Sequence, residues 1–255
     1  MVLNGSHILV TRPEHQAENL SRLIEERGGI AVRFPTLDIV ARDDVGDEIK
    51  NTLANLDSFE WIIFISANAV NFALKANSGK IARTKSVRFA AVGQSTAQAM
   101  KMAGLTVDLV PENGYNSEVL LAMPQLQQVE GQSFLIVRGE GGREQLATML
   151  RSRGAEVNYL EVYKRVIPRI DSSPVVKLLA QHSLDAITVT SAEALQNLNL
   201  MLGEKNKLLS LIPLVVVSDR IRCIAADMGF NRITVTNSPI DTAILETVIT
   251  CVTGE

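Results

Sequence analysis

The sequence predicts an α/β fold with two doubly wound parallel-sheet domains that derive from a duplicated half. Apolar runs too short for helices alternate with segments of helical periodicity. One such unit spans Phe134 to Arg165 and contains a strand, a glycine turn, a helix that ends at Gly154 and a second strand. The same unit opens the chain, where Arg12 corresponds to Arg138 at a separation of 126 residues.

The repeat continues through the rest of both halves. The run Trp61–Ser66 corresponds to Ala186–Ser191 at a separation of 125 residues, and Ala91–Gly93 corresponds to Val216–Ser218 at the same separation. A period as long as a domain, present twice, indicates a duplicated half and not a solenoid.

Each predicted element depends on a local signal. Apolar runs bounded by polar turns predict strands at Ile8–Arg12, Ile30–Phe34, Trp61–Ile65, Arg88–Val92, Val107–Val110, Phe134–Val137, Glu156–Tyr163, Ala186–Val189 and Ile233–Val235. A further strand is predicted to end at Val217. Between them, apolar residues at helical spacing predict helices, with Ser, Asn or Pro at their starts and Gly or Pro at their ends. Two extended segments, about 34–42 and 160–170, occupy equivalent places and are predicted to be connectors.

The composition limits the class of protein. The chain has 255 residues, of which 46% are hydrophobic, and a formal net charge of −3, which argues against general nucleic-acid binding. The first residues lack the features of a signal peptide, and no apolar stretch is long enough to span a membrane. Cys223 and Cys251 lack metal-ligand or redox spacing. We therefore expect a cytoplasmic protein.

Polar turns follow the strands of the predicted sheets. In such sheets ligands bind beyond the carboxyl ends of the strands, where the N–H groups of helix N-termini suit carboxylate or phosphate. A purely structural reading, in which the Ser, Thr and Asn residues only cap helices, remains open for each residue alone. The recurrence of such turns in both halves favours a shared anionic ligand. The candidate residues are Arg12, Ser66, Ala67, Asn68, Gly93, Thr96, Asn116, Ser117, Thr190, Ser191 and Ser218.

The glycine turn after Val137 contributes four more candidates. Arg138 and Arg143 bracket Gly139 and Gly142, and two arginines around a glycine turn suit bidentate carboxylate contacts. The turn is not a dinucleotide fingerprint, and the sequence contains no Walker A motif. The histidines are scattered, and no Ser-His-Asp or Cys-His arrangement is recognisable.

Tyr163 is the one candidate catalytic side chain. It lies at the start of the second connector, where it could pack as a structural residue or face a ligand cleft. A phenol is protonated at neutral pH and can donate to a leaving hydroxyl. Tyr159, in the same strand, is predicted to be structural.

Taken together, these motifs resemble the uroporphyrinogen-III synthase family, and the resemblance covers nearly the whole chain. The motifs are Ile8–Pro13, Ser66–Val70, Ala91–Ala97, Asn116–Glu118, Arg138–Arg143, Arg153–Ala155, Val162–Arg165, Val189–Ser191 and Val217–Ser218. The resemblance implies two α/β domains joined by a two-stranded connector. One domain would comprise residues 1–36 and 167–255, and the other residues 38–165, although the repeat alone equally allows a division near Gln127.

The implied reaction is the cyclisation of hydroxymethylbilane, a linear tetrapyrrole, to uroporphyrinogen III, with inversion of ring D and loss of water. No cofactor or metal is implied. Binding of this polycarboxylate would need local cations and helix N-termini, because the net charge is negative. We expect a monomer that binds neither nucleic acid nor membrane and makes at most a transient contact with the enzyme that forms the bilane. The two connectors further predict domains that open and close about Pro35–Val40 and Val162–Pro168.

Two readings from other classes remain open at this stage. A two-domain protein that binds a small anionic ligand without catalysis would share the cleft, but the periplasmic kind would have a signal peptide. A nucleotide-dependent oxidoreductase would also be doubly wound, but its glycine fingerprint is not found.

Overall fold

The chain folds into two units, each with its own sheet. The computed structural model describes residues 2–82, 86–112 and 116–254. Unit 1 comprises Met1–Asp38 and Val166–Glu255, and unit 2 comprises Ile39–Arg165. In sequence, unit 2 is thus an insertion in unit 1.

Strands and helices alternate in both units. The strands are β1 (His7–Val10), β2 (Ile30–Arg33), β3 (Asp38–Ala41), β4 (Trp61–Phe64), β5 (Arg88–Ala91), β6 (Ser133–Gly139), β7 (Glu156–Val166), β8 (Ala186–Val189), β9 (Leu214–Val216) and β10 (Ile233–Val235). The helices are α1 (Glu14–Glu26), α2 (Gly46–Ala54), α3 (Ala67–Ala76), α4 (Gln94–Met102), α5 (Ser117–Ala122), α6 (Gln145–Ser152), α7 (Ser173–Ala180), α8 (Ala192–Leu202), α9 (Asp219–Asp227) and α10 (Asp241–Thr253). Short 3₁₀ segments occur at Asp43–Val45, Leu56–Ser58, Pro124–Leu126 and Gly203–Leu211.

The two sheets share one strand order. In unit 1 the order is β10-β9-β8-β1-β2, and in unit 2 β5-β4-β6-β7 runs the same way, with β3 added beside β7. All the strands of unit 1, and β4 to β7 of unit 2, are parallel to their neighbours. The predicted fold class, two parallel α/β sheets, is confirmed.

The repeat extends to the register of the strands. His7 pairs with Ile30 in unit 1, and Ser133 pairs with Glu156 in unit 2. Each residue of the second pair lies 126 positions after its counterpart in the first. The two units are therefore built on one strand–helix–strand pattern.

Apolar side chains cover both faces of each sheet. In β4, Ile62 and Phe64 belong to one core cluster, whereas Trp61 and Ile63 belong to another. This alternation follows from the two-residue period of a strand, and burial on both faces explains why β4 reads as a continuous apolar run. β1 divides in the same way, with Leu9 on one face of its sheet and the neighbouring Ile8 and Val10 on the other.

The predicted strand Val107–Val110 does not form. Leu109 makes only an isolated parallel bridge with Ala90. The Asp108 carboxylate accepts from the Phe89 N–H at 2.7 Å. In a regular parallel pair of strands, this N–H of β5 would instead donate to a backbone carbonyl of the adjacent strand. This segment stands where β10 stands in unit 1, and the side-chain contact explains the missing strand.

Candidate functional site

The predicted ligand-binding turns lie at the carboxyl edge of each sheet, meaning the edge where the parallel strands end. In unit 2, Phe64 pairs with Ala91 of β5 and with Val137 of β6, so β4, β5 and β6 end side by side. In unit 1, Val10 pairs with Thr188, and Val189 pairs with Val216. The turns after these strands are therefore neighbours within each unit.

Four of the predicted polar residues at these turns cap helices. The side-chain oxygens of Ser66, Asn116, Ser191 and Ser218 accept from the backbone N–H three residues later, at 3.1, 3.0, 3.0 and 3.4 Å. Gly93 is the N-cap of α4 and supplies no side-chain cap. Because each cap satisfies one of the several free N–H groups of a helix N-terminus, the remaining N–H groups are available for an anion.

Tyr163 lies inside unit 2 with its hydroxyl beside Ser66. The two hydroxyl oxygens are 3.2 Å apart, and the ring packs against Phe72 with centroids 5.6 Å apart. The residue is 2% exposed. Ser66 and Tyr163 are 97 residues apart in sequence. Ser66 follows β4, and Tyr163 lies within β7 opposite Gly139, the last residue of β6, so the fold brings two predicted site residues into contact.

Gly139 makes room for the Tyr163 ring. The pairing of β6 with β7 shifts between Arg138 and Gly139, so that Gly139 lies opposite Tyr163. A Cβ atom at Gly139 would lie 2.4 Å from the Tyr163 Cε2 atom, far inside contact distance. The first glycine of the turn is thus required by the position of the tyrosine.

Arg138 is buried and held by acidic side chains. Its Nη1 donates to Glu144 Oε1 at 2.9 Å, and its Nε lies 3.8 Å from Glu161 Oε1. The guanidinium packs over the Tyr159 ring at 4.5 Å, and its side chain is 2% exposed. The guanidinium therefore already has an acidic partner within the turn.

Gly142 fits against the same guanidinium. A Cβ atom at Gly142 would lie 2.7 Å from Arg138 Nη2. The intervening Gly141 has a φ of +68°, a backbone conformation that residues other than glycine rarely adopt. The three glycines of this turn therefore have different structural roles. Gly139 and Gly142 permit close packing, and Gly141 permits the backbone turn.

Hydrogen bonds and charge tune the Glu144–Tyr159 pair. The Tyr159 hydroxyl donates to Glu144 Oε2. This bond, followed by the bond from Arg138, holds the pKa of Glu144 below its ordinary value. Burial, followed by the bond to Glu144, raises the pKa of Tyr159. Both directions favour an ionised Glu144 facing a neutral phenol and a guanidinium.

Arg42 fastens the other side of this turn. Its Nη1 lies 3.2 Å from Glu140 Oε2 and 3.2 Å from Glu161 Oε2, and it also pairs with Asp44 at 2.9 Å. Glu161 Oε1 accepts from the Gly141 N–H at 3.4 Å. The glycine turn is therefore tied to β7 and to the residue after β3.

Arg12 occupies the corresponding place in unit 1. Its guanidinium pairs with Asp241 and donates to the Pro239 carbonyl at 3.3 Å. Asp241 also accepts from Asn19 Nδ2 at 2.6 Å. The Arg12 side chain is 12% exposed, so this arginine, like Arg138, already has an acidic partner within its unit.

The other predicted residues differ in exposure. Arg143 is exposed and forms no ion pair among residues 2–82, 86–112 and 116–254. Thr96 is buried within α4, so its hydroxyl does not face solvent. Four predicted residues are half-buried and lie at or next to the start of a helix: Ala67, Asn68, Ser117 and Thr190.

Sequence reasoning missed the acidic partners of the turn. Glu144, Glu161 and Arg42 were not predicted to belong to the site. Glu144 bonds Arg138 within the turn, whereas Glu161 lies beside Arg138 and Arg42 because β6 pairs with β7. The available signal was the pair of charges that bracket the turn, Arg138 and Glu144, 6 residues apart. That spacing matches neither a helix nor a strand period, so pattern analysis passes over it.

No cluster of three or more His, Cys, Asp or Glu side chains suited to a metal ion occurs among the described residues. In the same part of the chain, no helix has the length and hydrophobicity needed to cross a membrane.

Comparisons with known sequences point to one family. Residues 18–246 match the family model described as uroporphyrinogen-III synthase HemD. The chain is 31% identical over 243 residues to the uroporphyrinogen-III synthase of Escherichia coli (strain K12), covering 93% of this chain and 98% of that protein. It is also 31% identical to the enzyme of the same name from Chlorobaculum parvum, over 78% of this chain and 80% of that protein.

Solved structures agree on the fold. A mutant uroporphyrinogen III synthase from the extremely thermophilic bacterium Thermus thermophilus matches with a TM-score of 0.66 at 17% identity, covering 98% of this chain and all of that one. Uroporphyrinogen-III synthetase from Helicobacter pylori matches with a TM-score of 0.59 at 14% identity, covering 96% and 99% of the two chains. At these identities the likeness concerns the fold alone.

Proposed function

The chain belongs to the uroporphyrinogen-III synthase family, and we propose that its two units carry out the family's reaction. The substrate of the family is a tetrapyrrole. Hydroxymethylbilane would be cyclised to uroporphyrinogen III in tetrapyrrole biosynthesis, with inversion of ring D and loss of water. The observation that carries this proposal is the family match over residues 18–246.

The turns at the carboxyl edges are proposed to bind the substrate carboxylates. Free N–H groups at helix N-termini and the exposed guanidinium of Arg143 support this role. The net charge of −3 would repel a polycarboxylate at long range, so attraction has to come from such local groups. The proposed binding residues are Arg12, Ser66, Ala67, Asn68, Gly93, Thr96, Asn116, Ser117, Arg138, Gly139, Gly142, Arg143, Thr190, Ser191 and Ser218.

In this proposal the arginines contribute unequally. Arg12 and Arg138 already pair with Asp241 and Glu144, so either would have to exchange one carboxylate for another. Arg143 carries a charge that needs no such exchange. It is therefore the arginine expected to contribute most to binding.

Tyr163 is proposed to donate the proton on which the hydroxyl departs as water. Its hydroxyl lies beside Ser66 at the start of α3, which supports a role at the carboxyl edge. The C–O bond breaks with its electron pair leaving on water, and the remaining cation is stabilised by the pyrrole nitrogen. Because the substrate itself provides that stabilisation, one weak general acid suffices.

Orientation is proposed to be the main catalytic contribution. The bilane closes unaided to the isomer without inversion, so the protein has to hold both ends of the bilane so that the substituted carbon of ring D attacks. Several carboxylate contacts at separate turns would fix the substrate in this way.

The setting of the proposed reaction follows from the same features. We propose that the protein acts in the cytoplasm, since Cys223 and Cys251 are both free thiols, and that it acts as a monomer, since one chain supplies both sheets. Because hydroxymethylbilane closes unaided, a transient contact with the enzyme that forms it would shorten the time available for that side reaction.

Isomer analysis tests the proposed reaction directly. The protein is incubated with freshly prepared hydroxymethylbilane, the products are oxidised, and the porphyrin isomers are separated chromatographically. We expect uroporphyrin III to predominate, with uroporphyrin I in a heat-inactivated control. Formation of the I isomer alone, together with retained binding of the bilane, would identify an anionic-ligand binding protein without catalysis.

A further inference from the structure

We infer that Ser66 is a positioning residue for Tyr163: the Ser66 hydroxyl stabilises the phenolate that remains after Tyr163 gives up its proton. The inference rests on the proposed role of Tyr163 as proton donor and identifies a residue through which that role is supported.

The contacts of Ser66 Oγ fix what this hydroxyl can do. It accepts from the Ala69 N–H at 3.1 Å and lies 3.2 Å from the Tyr163 hydroxyl oxygen. A serine hydroxyl has two acceptor lone pairs and one hydrogen. With one lone pair bonded to Ala69, the hydroxyl can still accept from Tyr163 or rotate to donate to it.

The surroundings leave the Tyr163 oxygen dependent on this contact. The ring is enclosed by Phe72 and the Gly139 backbone, and the residue is 2% exposed. Within the part of the chain that the structure describes, Ser66 supplies the hydrogen-bond partner of the hydroxyl. A phenolate formed at this place would be poorly solvated and would need a protein donor.

The proton transfer then has a complete balance. Before reaction the Tyr163 O–H donates to Ser66 Oγ or to the substrate. When the phenol proton passes to the leaving hydroxyl, the C–O bond breaks, water departs with the electron pair, and the cation forms on the bilane. Ser66 rotates to donate to the phenolate. The proton released when the ring closes returns to Tyr163, so the overall change is loss of one water.

The position of Ser66 strengthens its donation. It is the N-cap of α3, a helix of 10 residues, with the bond from Ala69 polarising its oxygen. Negative charge is stabilised near a helix N-terminus, and a hydrogen bond to an ionised oxygen is stronger than one between neutral groups. Both effects act after proton transfer and not before it, so they lower the barrier.

Unit 1 offers a control outside the proposed binding turns. Asp171 Oδ1 accepts from the Ser173 N–H at 2.9 Å at the start of α7. The residue that corresponds to Tyr163, at a separation of 126, is Leu37, which has no hydroxyl. Asp171→Ala therefore removes a side-chain bond at a helix start in the unit that lacks a tyrosine at this place.

A double-mutant cycle tests the inference, with kcat and KM measured for isomer III formation by the wild type, Ser66→Ala, Tyr163→Phe and the double variant. We expect Ser66→Ala to lower kcat about 10-fold with little change in KM, and to have no further effect once Tyr163 is Phe. Ser66→Thr, which keeps the hydroxyl, should restore most of kcat. Asp171→Ala should lower activity by less than about 3-fold, since it removes a helix-start bond alone.

Thermal unfolding of all variants separates folding from catalysis, because the two helix-start bonds should contribute similar stability. An equal loss of kcat from Ser66→Ala in both backgrounds would overturn the inference, as would equal losses from Ser66→Ala and Asp171→Ala. Wild-type kcat in Tyr163→Phe would overturn it together with the role of the tyrosine. A wild-type protein that forms no isomer III would instead refute the proposed function.

Discussion

The turn after β1 in unit 1 and the turn after β6 in unit 2 derive from one repeat but differ at the positions that carry chemistry. Each turn has an arginine that pairs with an acidic residue: Arg12 with Asp241, and Arg138 with Glu144. The arginine–carboxylate pair is therefore a structural feature that both units share.

The two units differ at three corresponding positions. At a separation of 126 residues, Gly139 corresponds to Pro13, Arg143 to Ala17 and Tyr163 to Leu37. At these three positions unit 2 therefore combines a close-packed glycine, an exposed arginine and a tyrosine hydroxyl, and unit 1 has none of them. The comparison assigns the proposed proton transfer to unit 2 and carboxylate binding to both units.

Gly139→Ala should have the largest effect. Its Cβ atom would lie 2.4 Å from the Tyr163 ring, so the ring or β6 has to move. We expect kcat to fall by about 10²-fold or more and the free energy of unfolding to fall by about 1–3 kcal/mol from overpacking. Pro13→Ala, at the corresponding position of unit 1, should change kcat by less than about 3-fold. Equal effects of the two variants would remove the distinction between the units.

Arg138→Met tests whether the buried arginine serves the turn. The variant keeps a long apolar side chain but removes the bonds to Glu144 and to the Gly139 carbonyl. We expect the free energy of unfolding, measured by urea titration, to fall by about 1.5–3 kcal/mol, with a parallel loss of activity. Loss of substrate affinity at unchanged stability would show instead that Arg138 binds the substrate directly.

Arg143→Ala should affect binding without affecting stability. The side chain is exposed, and one charge-assisted contact to a carboxylate is worth about 1.5–3 kcal/mol. We expect KM to rise about 10-fold or more at constant thermal stability. Arg27→Ala, at the C-terminal end of α1, provides a control for loss of a surface charge. A KM unchanged from that of the wild type would exclude Arg143 from carboxylate binding.

The smallest expected effect is on pH dependence. The pKa of Glu144 lies below its ordinary value because of the Tyr159 hydroxyl, then Arg138, with a weaker contribution from Arg151. A lowered carboxyl pKa gives stability that is present above the unfolded pKa and lost as pH falls through the folded pKa. Tyr159→Phe should therefore raise the pKa of Glu144 and weaken this acid dependence, as followed by NMR titration of the carboxyl group. An unmoved pKa would show that the hydroxyl contact does not hold Glu144.

The repeating parts of the fold were accessible from sequence because they carry periodic signals. Buried strands such as Trp61–Phe64 are continuous apolar runs between polar turns, and the duplicated half confirms each one at a second place. The segment Val107–Val110 was mispredicted because Asp108 replaces a strand contact with a side-chain bond. A side-chain bond of this kind does not change the spacing of apolar residues from which strands are predicted.

The site was less accessible because its contacts join distant parts of the chain. The sequence indicates that Arg138 and Tyr163 flank a glycine turn and a connector, but not that Glu144 neutralises Arg138 or that Ser66 meets Tyr163. The Ser66–Tyr163 contact joins residues 97 positions apart and depends on the order of the strands and on the register shift opposite Gly139. The Arg138–Glu144 contact is local, but its spacing of 6 residues matches neither a helix nor a strand period. Pattern analysis finds residue types that suit a chemistry, whereas tertiary structure decides which of them already have partners.

Turnover by Tyr163→Phe tests most directly whether unit 2 supplies the proton. The variant keeps the ring that packs against Phe72 and Gly139 and removes only the hydroxyl. Formation of isomer III is measured after subtraction of the protein-free rate, with thermal unfolding as the folding control. We predict a fall in kcat of about 10²-fold or more, unchanged stability and an enzymatic product that is still isomer III. Wild-type kcat in a folded Tyr163→Phe protein would contradict the account and leave Tyr163 as a packing residue.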